Sequence, residues 1–278
     1  MRVDLAVGAL MKVNWTWKHG VLIGLVGAGC IAPWFFERVP QDVDYHAFAD
    51  TAAYVGIPNF LNVTTNIFFI LVGVFGLAAS RAKGFVLDST DRRMAYHVFF
   101  MGVILVGLGS AYYHVNPNTD TLVWDRLPMT VSFMALVAMI VSDCLSPKIG
   151  KVALWPLVGM GVGSVGYWHI TESWGVGDLR PYGVVQFLPM ALIPVMLGLF
   201  GTRRLRSPYV WAMLVTYGLA KIAEHFDGEI YSLGGIISGH SLKHVLAALA
   251  TAWVMVACRS RDSTRWDSSK TMIVNGAG

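Results

Sequence analysis

Five residues of this chain have types and spacings that suit chemistry. Ser110 and His114 stand four apart in GSAYYH, Asp125 follows eleven residues after His114 in VWDRLPM, and His240 and His244 stand four apart in SGHSLKH. Residues at i and i+4 lie on one helix face, so each pair points to one place. An H-x-x-x-H pair presents two imidazoles to a common point, as zinc sites require. His114 would supply a third nitrogen and leave the fourth tetrahedral position to water, the layout of a catalytic zinc rather than a closed structural one. Asp125 is placed to take a proton from that water or to orient it, and Ser110 to donate to a developing oxyanion. A lone histidine on a membrane helix is more often a hydrogen-bonded packing residue. The matched set, and not any one member, carries the reading.

These residues need elements that hold them at one level, and the composition says what those are. Of 278 residues, 55% are hydrophobic and 14% charged, with a mean hydropathy of +0.56. A soluble domain carries about 25% charged residues. Apolar runs long enough to cross a hydrocarbon core of about 30 Å recur throughout. Eight spans are expected, at 19–36, 62–81, 94–114, 122–143, 152–169, 182–200, 208–225 and 239–257. Short connections make sequential helices antiparallel neighbours in an all-α, polytopic transmembrane helical bundle. Ser110 and His114 then fall near the end of the third span, Asp125 at the start of the fourth, and His240 and His244 at the start of the last. All five lie at one depth, and ionisable groups inside a span mark a functional site by default.

Sixteen of the 21 Lys and Arg fall in segments on one side of this alternation: 1–18, 81–93, 144–151, 201–207 and the tail from 258. The opposite segments hold Arg38 and Arg180, while Arg126, Lys221 and Lys243 lie inside spans. Basic loops mark the cytoplasmic side, so both termini are expected there and the histidine cluster on the other. Compact loops and a short tail point to a bacterial inner membrane with the site facing the periplasm. The formal charge of +4 has this topological job and does not point to nucleic acid. The three cysteines, too few for a disulfide framework, are expected as free thiols. Residues 1–18 lack a cleavage site and lead into a retained helix. The tryptophans suit interfacial anchoring.

GSAYYHVNPNTDTLVWDRLPM (109–129) followed by SGHSLKH (238–244) resembles the alkaline ceramidases. These belong to a wider group of intramembrane zinc hydrolases that includes the progestin and adiponectin receptors. DRLPM at 125–129 is similar to the family's D-x-L-P-M, and GIPNFLNVTTNIFFILVGVFGL (56–77) to its opening helix. The resemblance implies a seven-helix core over 62–257. It is preceded by a cytoplasmic segment (1–18), an additional helix (19–36) and an acidic extracytoplasmic loop (37–61), and followed by a cytoplasmic tail (258–278). It implies zinc on His114, His240 and His244, with catalysis by Asp125 and Ser110. The reaction would be hydrolysis of the ceramide amide to a sphingoid base and a fatty acid. It also implies a calcium loop before the core, for which this chain offers Asp42, Asp44, Asp50, Asn59 and Asn62, with Asn59 where a carboxylate is expected. A solvated acidic loop is the alternative. Arg126 stands where the eukaryotic enzymes carry an acidic residue, which would alter head-group preference.

Glu224 and Lys221, three apart, form either an intramembrane pair or a head-group contact, and Arg180 with Asp178 either binds a head group or fixes its loop. His19, His46, His97, His169 and His225 lie outside the motif. The partners expected are a membrane lipid substrate and the bilayer. Two other readings compete with the amidase: a receptor or scaffold that keeps the metal for structure, and a haem-binding electron-transfer subunit. Haem needs ligands on opposite faces of one ring and has no use for an i, i+4 pair with Asp and Ser. Metal content measured beside turnover separates all three.

Overall fold

The computed structural model describes residues 15–81, 85 and 90–259. The ends of the expected cytoplasmic segments, 1–14 and 260–278, and most of the connection at 82–89 lie outside the described residues. The helices are α1 (Trp17–Ile31), α2 (Phe60–Thr64), α3 (Ile67–Ala79), α4 (Thr90–Val115), α5 (Thr119–Cys144), α6 (Pro147–Ser173), α7 (Arg180–Phe200), α8 (Ser207–His225), α9 (Asp227–Ser232) and α10 (Gly239–Ala257). Two short 3₁₀ turns, Ala32–Phe35 and Val43–His46, lie between α1 and α2.

Among the described residues, seven stretches are long and apolar enough to cross a membrane: Trp17–Phe35, Phe60–Ala79, Arg92–Val115, Thr119–Cys144, Pro147–Ser173, Arg180–Phe200 and Gly239–Ala257. The fold is an all-α polytopic bundle. The expected span at 208–225 is helical, but α8 is not among the seven. Its Lys221, Glu224 and several hydroxyl-bearing residues lower its hydropathy, and it packs along α10. Each of α3, α4, α5, α7, α8 and α10 touches the next around a ring, with α6 outside against α5 and α7, and α1 outside against α7. Many large apolar side chains, such as Phe68, Leu71, Phe75, Leu105 and Val215, point outward, as a surface bathed in lipid requires. Exposed Trp15, Trp17, Trp34, Trp124, Trp155 and Trp174 sit at or near helix ends, where indoles favour the membrane–water boundary.

Two local features differ from the expected spans and position the site. The first is a break at Thr65–Asn66, which splits the span expected at 62–81 into α2 and α3. Side chains there return to the backbone: Thr65 Oγ1 donates to the Leu61 carbonyl (2.6 Å) and Asn66 Nδ2 to the Asn62 carbonyl (2.7 Å). Such bonds compete with regular helix. The second is Pro128 inside α5. Proline has no N–H, so the Trp124 carbonyl loses its intrahelical partner. Gly109 of α4 lies against that carbonyl, where a Cβ would stand 2.0 Å from the oxygen. The close approach of α4 and α5 puts consecutive residues of each, Ser110 and Asp125, side by side.

Residues 36–50, expected as an acidic loop, fold over the end of the bundle as a strap. The Val39 carbonyl accepts from Leu179 N (2.8 Å), and Gln41 N donates to Glu172 Oε2 (3.1 Å). His46 bonds the Tyr113 hydroxyl (2.8 Å) and Thr119 Oγ1 (3.3 Å), while Ala49 N donates to Asp227 Oδ2 (2.9 Å). All three cysteines are free thiols, with Cys144 and Cys258 buried.

Candidate functional site

His114 near the end of α4 and His240 and His244 in the first turns of α10 converge beneath this strap, and all three are buried. Their ring centroids lie 4.9, 4.9 and 5.0 Å apart, and one nitrogen from each lies within 4.8 Å of the other two. Among the described residues this is the one group of three or more His, Cys, Asp or Glu able to hold a metal ion.

Several residues fix these rings. Asp227, at the start of α9, accepts the His240 N–H at 2.6 Å through Oδ1 while its other oxygen holds the strap. Gly239 brings α10 against the end of α8, where a Cβ would stand 2.0 Å from the Ala223 carbonyl. Asn59 Nδ2 donates to the His114 carbonyl (2.8 Å) from a left-handed backbone (φ 48°). Asn62 accepts from Ser241 Oγ (2.7 Å) and donates to the Asp50 carbonyl (3.0 Å). Phe48 of the strap packs its ring 4.7 Å from that of His114 and 4.4 Å from that of His240.

The triad passes a geometric test for zinc. Nitrogens at 2.0–2.1 Å from a tetrahedral zinc are about 3.3 Å apart, and Nε2 of His114 and Nε2 of His240 lie 3.3 Å apart. Thr65 Oγ1, whose proton goes to Leu61, lies 3.0 Å from His244 Nδ1 and must accept there. His244 Nε2 is left buried with no hydrogen-bond partner, as is His114 Nδ1. Buried unpaired ring nitrogens are costly in an apolar bundle and call for a partner. Lys243 adds positive charge beside them, donating to His240 Nε2 (2.9 Å) and to Glu224 Oε1 (2.9 Å), and Glu224 also pairs with Lys221.

A cavity of about 810 Å³ opens onto the site. Ser110, Asp125, Lys243 and His244 line one end, and Val103, Leu136, Met213 and Ala250 carry it along the bundle interior. Asp125 is buried, with Ser110 beside it on the same cavity wall. Ser110, expected to face a developing oxyanion, lies on the cavity wall with Asp125, where Gly109 and Pro128 bring the two helix turns together.

Other expected residues take structural places. Arg180 donates to both Asp178 oxygens (2.8 Å each) and to the Phe36 carbonyl (2.7 Å), so it fixes the loop and strap. That network holds the Asp178 carboxyl below its ordinary value. Burial, with a smaller contribution from the Arg126 charge, lowers the His46 imidazole. Of the residues expected to hold calcium, Asp42 caps the 3₁₀ turn by accepting from Asp44 N (3.0 Å), Asp50 accepts from Ala52 N (3.0 Å), and Asn59 and Asn62 brace the histidine helices. His97 bonds Ser80 (2.9 Å) and His19 caps α1. Lys243, Thr65, Asp227 and Phe48 had no place in the expected site. Lys243 alone had a signal, its position inside SGHSLKH.

The fold and this cluster define a multi-pass membrane protein with a buried three-histidine centre on an apolar cavity. Residues 52–176 match the Ceramidase family. The match takes in Ser110, His114, Asp125 and Arg126 and ends before α7. His240 and His244 lie beyond it and meet it where α10 packs on α2 and α3 and beside His114. No curated protein matches the sequence.

Proposed function

We propose that the protein is an intramembrane zinc-dependent amidase that hydrolyses ceramide or a similar N-acyl lipid to a sphingoid base, or other amine, and a fatty acid. One observation carries this: three buried imidazoles at zinc spacing share the end of an apolar cavity with the Asp125 carboxylate and Ser110, in a chain whose residues 52–176 match the Ceramidase family.

Held by His114, His240 and His244, zinc would supply the Lewis acid that polarises an amide carbonyl and the means to activate water near neutral pH. The residues around it divide the rest of the work. Val103, Leu136, Met213 and Ala250 receive the acyl chain and exclude water from it. Asp125 accepts the proton released as water adds to the carbonyl and returns it to nitrogen as the C–N bond breaks. Ser110 positions that carboxylate. The Glu224 carboxylate keeps Lys243 in place beside His240. The strap closes the polar end, with Phe48 shielding two of the rings.

Both termini face the cytoplasm of a bacterial inner membrane, with the site on the periplasmic side. The supporting observation is the confinement of sixteen basic residues to one set of connections. Purified protein should contain one zinc per chain and release fatty acid from ceramide, and removal of the metal by a chelator should abolish release. Zinc without turnover on any N-acyl lipid would favour a receptor or scaffold. Absence of zinc from active protein would refute the metal assignment.

A further inference from the structure

Four cationic side chains line the cavity: Arg126, Arg180, Lys221 and Lys243. Three of them are matched. Arg180 is bound by Asp178 and the Phe36 carbonyl, and Lys221 and Lys243 share Glu224. Arg126 is different. It is 5% exposed, and its guanidinium carbon lies 4.4 Å from the Trp168 ring centre, 4.8 Å from that of Tyr182 and 5.3 Å from that of Tyr45. Its Nη1 is buried with no hydrogen-bond partner. The neighbouring carboxylate in the chain is Asp125, on the same cavity wall as Ser110.

An aromatic cage holds a flat cation by its faces and leaves the N–H edge free to bind. Here that edge belongs to a cavity wall shared with Tyr45, Tyr182 and Asp125. A buried guanidinium with an unused donor is matched best by a carboxylate, sulfonate or phosphate, whose oxygens meet its fork. The cage also lies at the polar end of the cavity. Tyr45 comes from the strap, Trp168 from the last turns of α6 and Tyr182 from the first turn of α7, away from the apolar stretch that suits an acyl chain.

We propose that Arg126 receives an anionic group on the amine half of the lipid, so that the preferred substrate is an N-acyl amine with a carboxylate, sulfonate or phosphate head. This rests on the amidase reading above and names the substrate class within it. The amide then lies between an anion held by Arg126 and an acyl chain in the apolar part of the cavity, which places its carbonyl beside Asp125 and the histidines.

Two lipids that differ only in the head test this: N-palmitoyltaurine, with a sulfonate, and N-palmitoylethanolamine, with a hydroxyl. Wild-type protein should have the higher kcat/KM for the taurine amide, and Arg126→Gln should lower the ratio of the two values by about 100-fold, as loss of a charge-assisted fork predicts. Arg126→Lys should restore part of it, because a point charge lacks the stacked plane. A wild-type ratio at or below one would overturn the proposal, and that measurement stands even if Arg126→Gln does not fold. Free palmitate separates the other source of an anion. If Arg126→Gln relieves inhibition by palmitate while leaving the substrate ratio unchanged, the cage holds the product acid and the head-group assignment is wrong. If wild type hydrolyses ceramide but neither of these amides, the head-group proposal is overturned and the amidase reading stands. If it hydrolyses none of the three, the amidase reading has failed, and thermal stabilisation by N-palmitoyltaurine in wild type against Arg126→Gln still decides the anion site: loss of stabilisation in the variant supports it, and equal stabilisation rejects it.

Discussion

At His244 the tautomer follows from one neighbour. Thr65 Oγ1 spends its proton on the Leu61 carbonyl and stands 3.0 Å from Nδ1, so the ring proton sits on Nδ1 and the lone pair on Nε2. A ligand ring held this way by an outer partner binds metal about 10 to 100 times more tightly than one left to rotate. Thr65→Val, equal in shape but without the hydroxyl, should weaken zinc by that factor, measured by competition with a chromogenic chelator. His240→Ala and His244→Ala each remove a ligand and should lose zinc and turnover together, with the protein still inserted in the membrane. One zinc per chain in the double variant would refute the assignment. Asp125→Asn should separate the two properties, keeping zinc while turnover falls by about 100-fold or more, the usual worth of a positioned proton-transfer group. Near-normal turnover would move the base elsewhere, with Glu224 next in line because it also lines the cavity. The three-histidine cluster was legible in the sequence because SxxxH and HxxxH are local helical spacings. Thr65, Phe48 and Asp227 were not, since a threonine hydroxyl, a phenylalanine or a half-buried acid has no characteristic spacing that ties it to the histidine it touches.

Among the elements, the contact of α4 with α5 depends on a glycine facing a carbonyl that proline has left unpaired. Gly109→Ala would place a methyl 2.0 Å from the Trp124 oxygen, and backbone cannot move aside as a side chain can. The helices must separate there, costing about 1–3 kcal/mol as overpacking does. A shift near 1 Å between Ser110 and Asp125 should lower turnover by about 100-fold. Gly166→Ala, where a Cβ meets nothing within 4 Å, is the control and should leave both stability and turnover unchanged. The spans were legible because their apolar runs are long. The break at 65–66 was not, because hydropathy runs on unbroken through it while the bonds that make it are between side chains and backbone. The strap was also missed. Its hold depends on partners remote in the chain, above all Arg180 joining Asp178 to Phe36. Because the folded Asp178 carboxyl titrates below its ordinary value of 3.8, its contribution is complete above that value and is lost as pH falls through the lowered one. Asp178→Asn should therefore raise hydrogen exchange of residues 36–41 at neutral pH. It should also flatten the loss of thermal stability that wild type shows on acidification below pH 3.8. Equal exchange in the two proteins would mean that other bonds hold the strap.

For the whole molecule, the ring of helices and the depth of the site follow from antiparallel connection. Successive spans reverse direction, so the end of α4, the start of α5 and the start of α10 fall on one level whichever compartment that level faces. This is why the convergence of His114, Asp125, His240 and His244 could be read before any coordinates. The cavity could not, because its volume depends on which side chains leave space between helices, and periodicity is silent on that. Orientation has an independent test. The connection between α4 and α5 carries no Lys or Arg, while that between α5 and α6 is followed at once by Lys148 and Lys151. Basic residues are retained in the cytoplasm, so Asn118 should face outward and Ser146 inward. In a variant lacking Cys30, Cys144 and Cys258, Asn118→Cys should react with a membrane-impermeant maleimide in intact cells, and Ser146→Cys should react only after the membrane is permeabilised. Both positions lie at helix N-caps between spans, where a single thiol leaves the bundle interior undisturbed. The reversed pattern would turn the whole bundle over and bring the polar end of the cavity to the cytoplasm. The distances among the three imidazoles and the Ser110–Asp125 contact would stand, since they depend on relative depth alone.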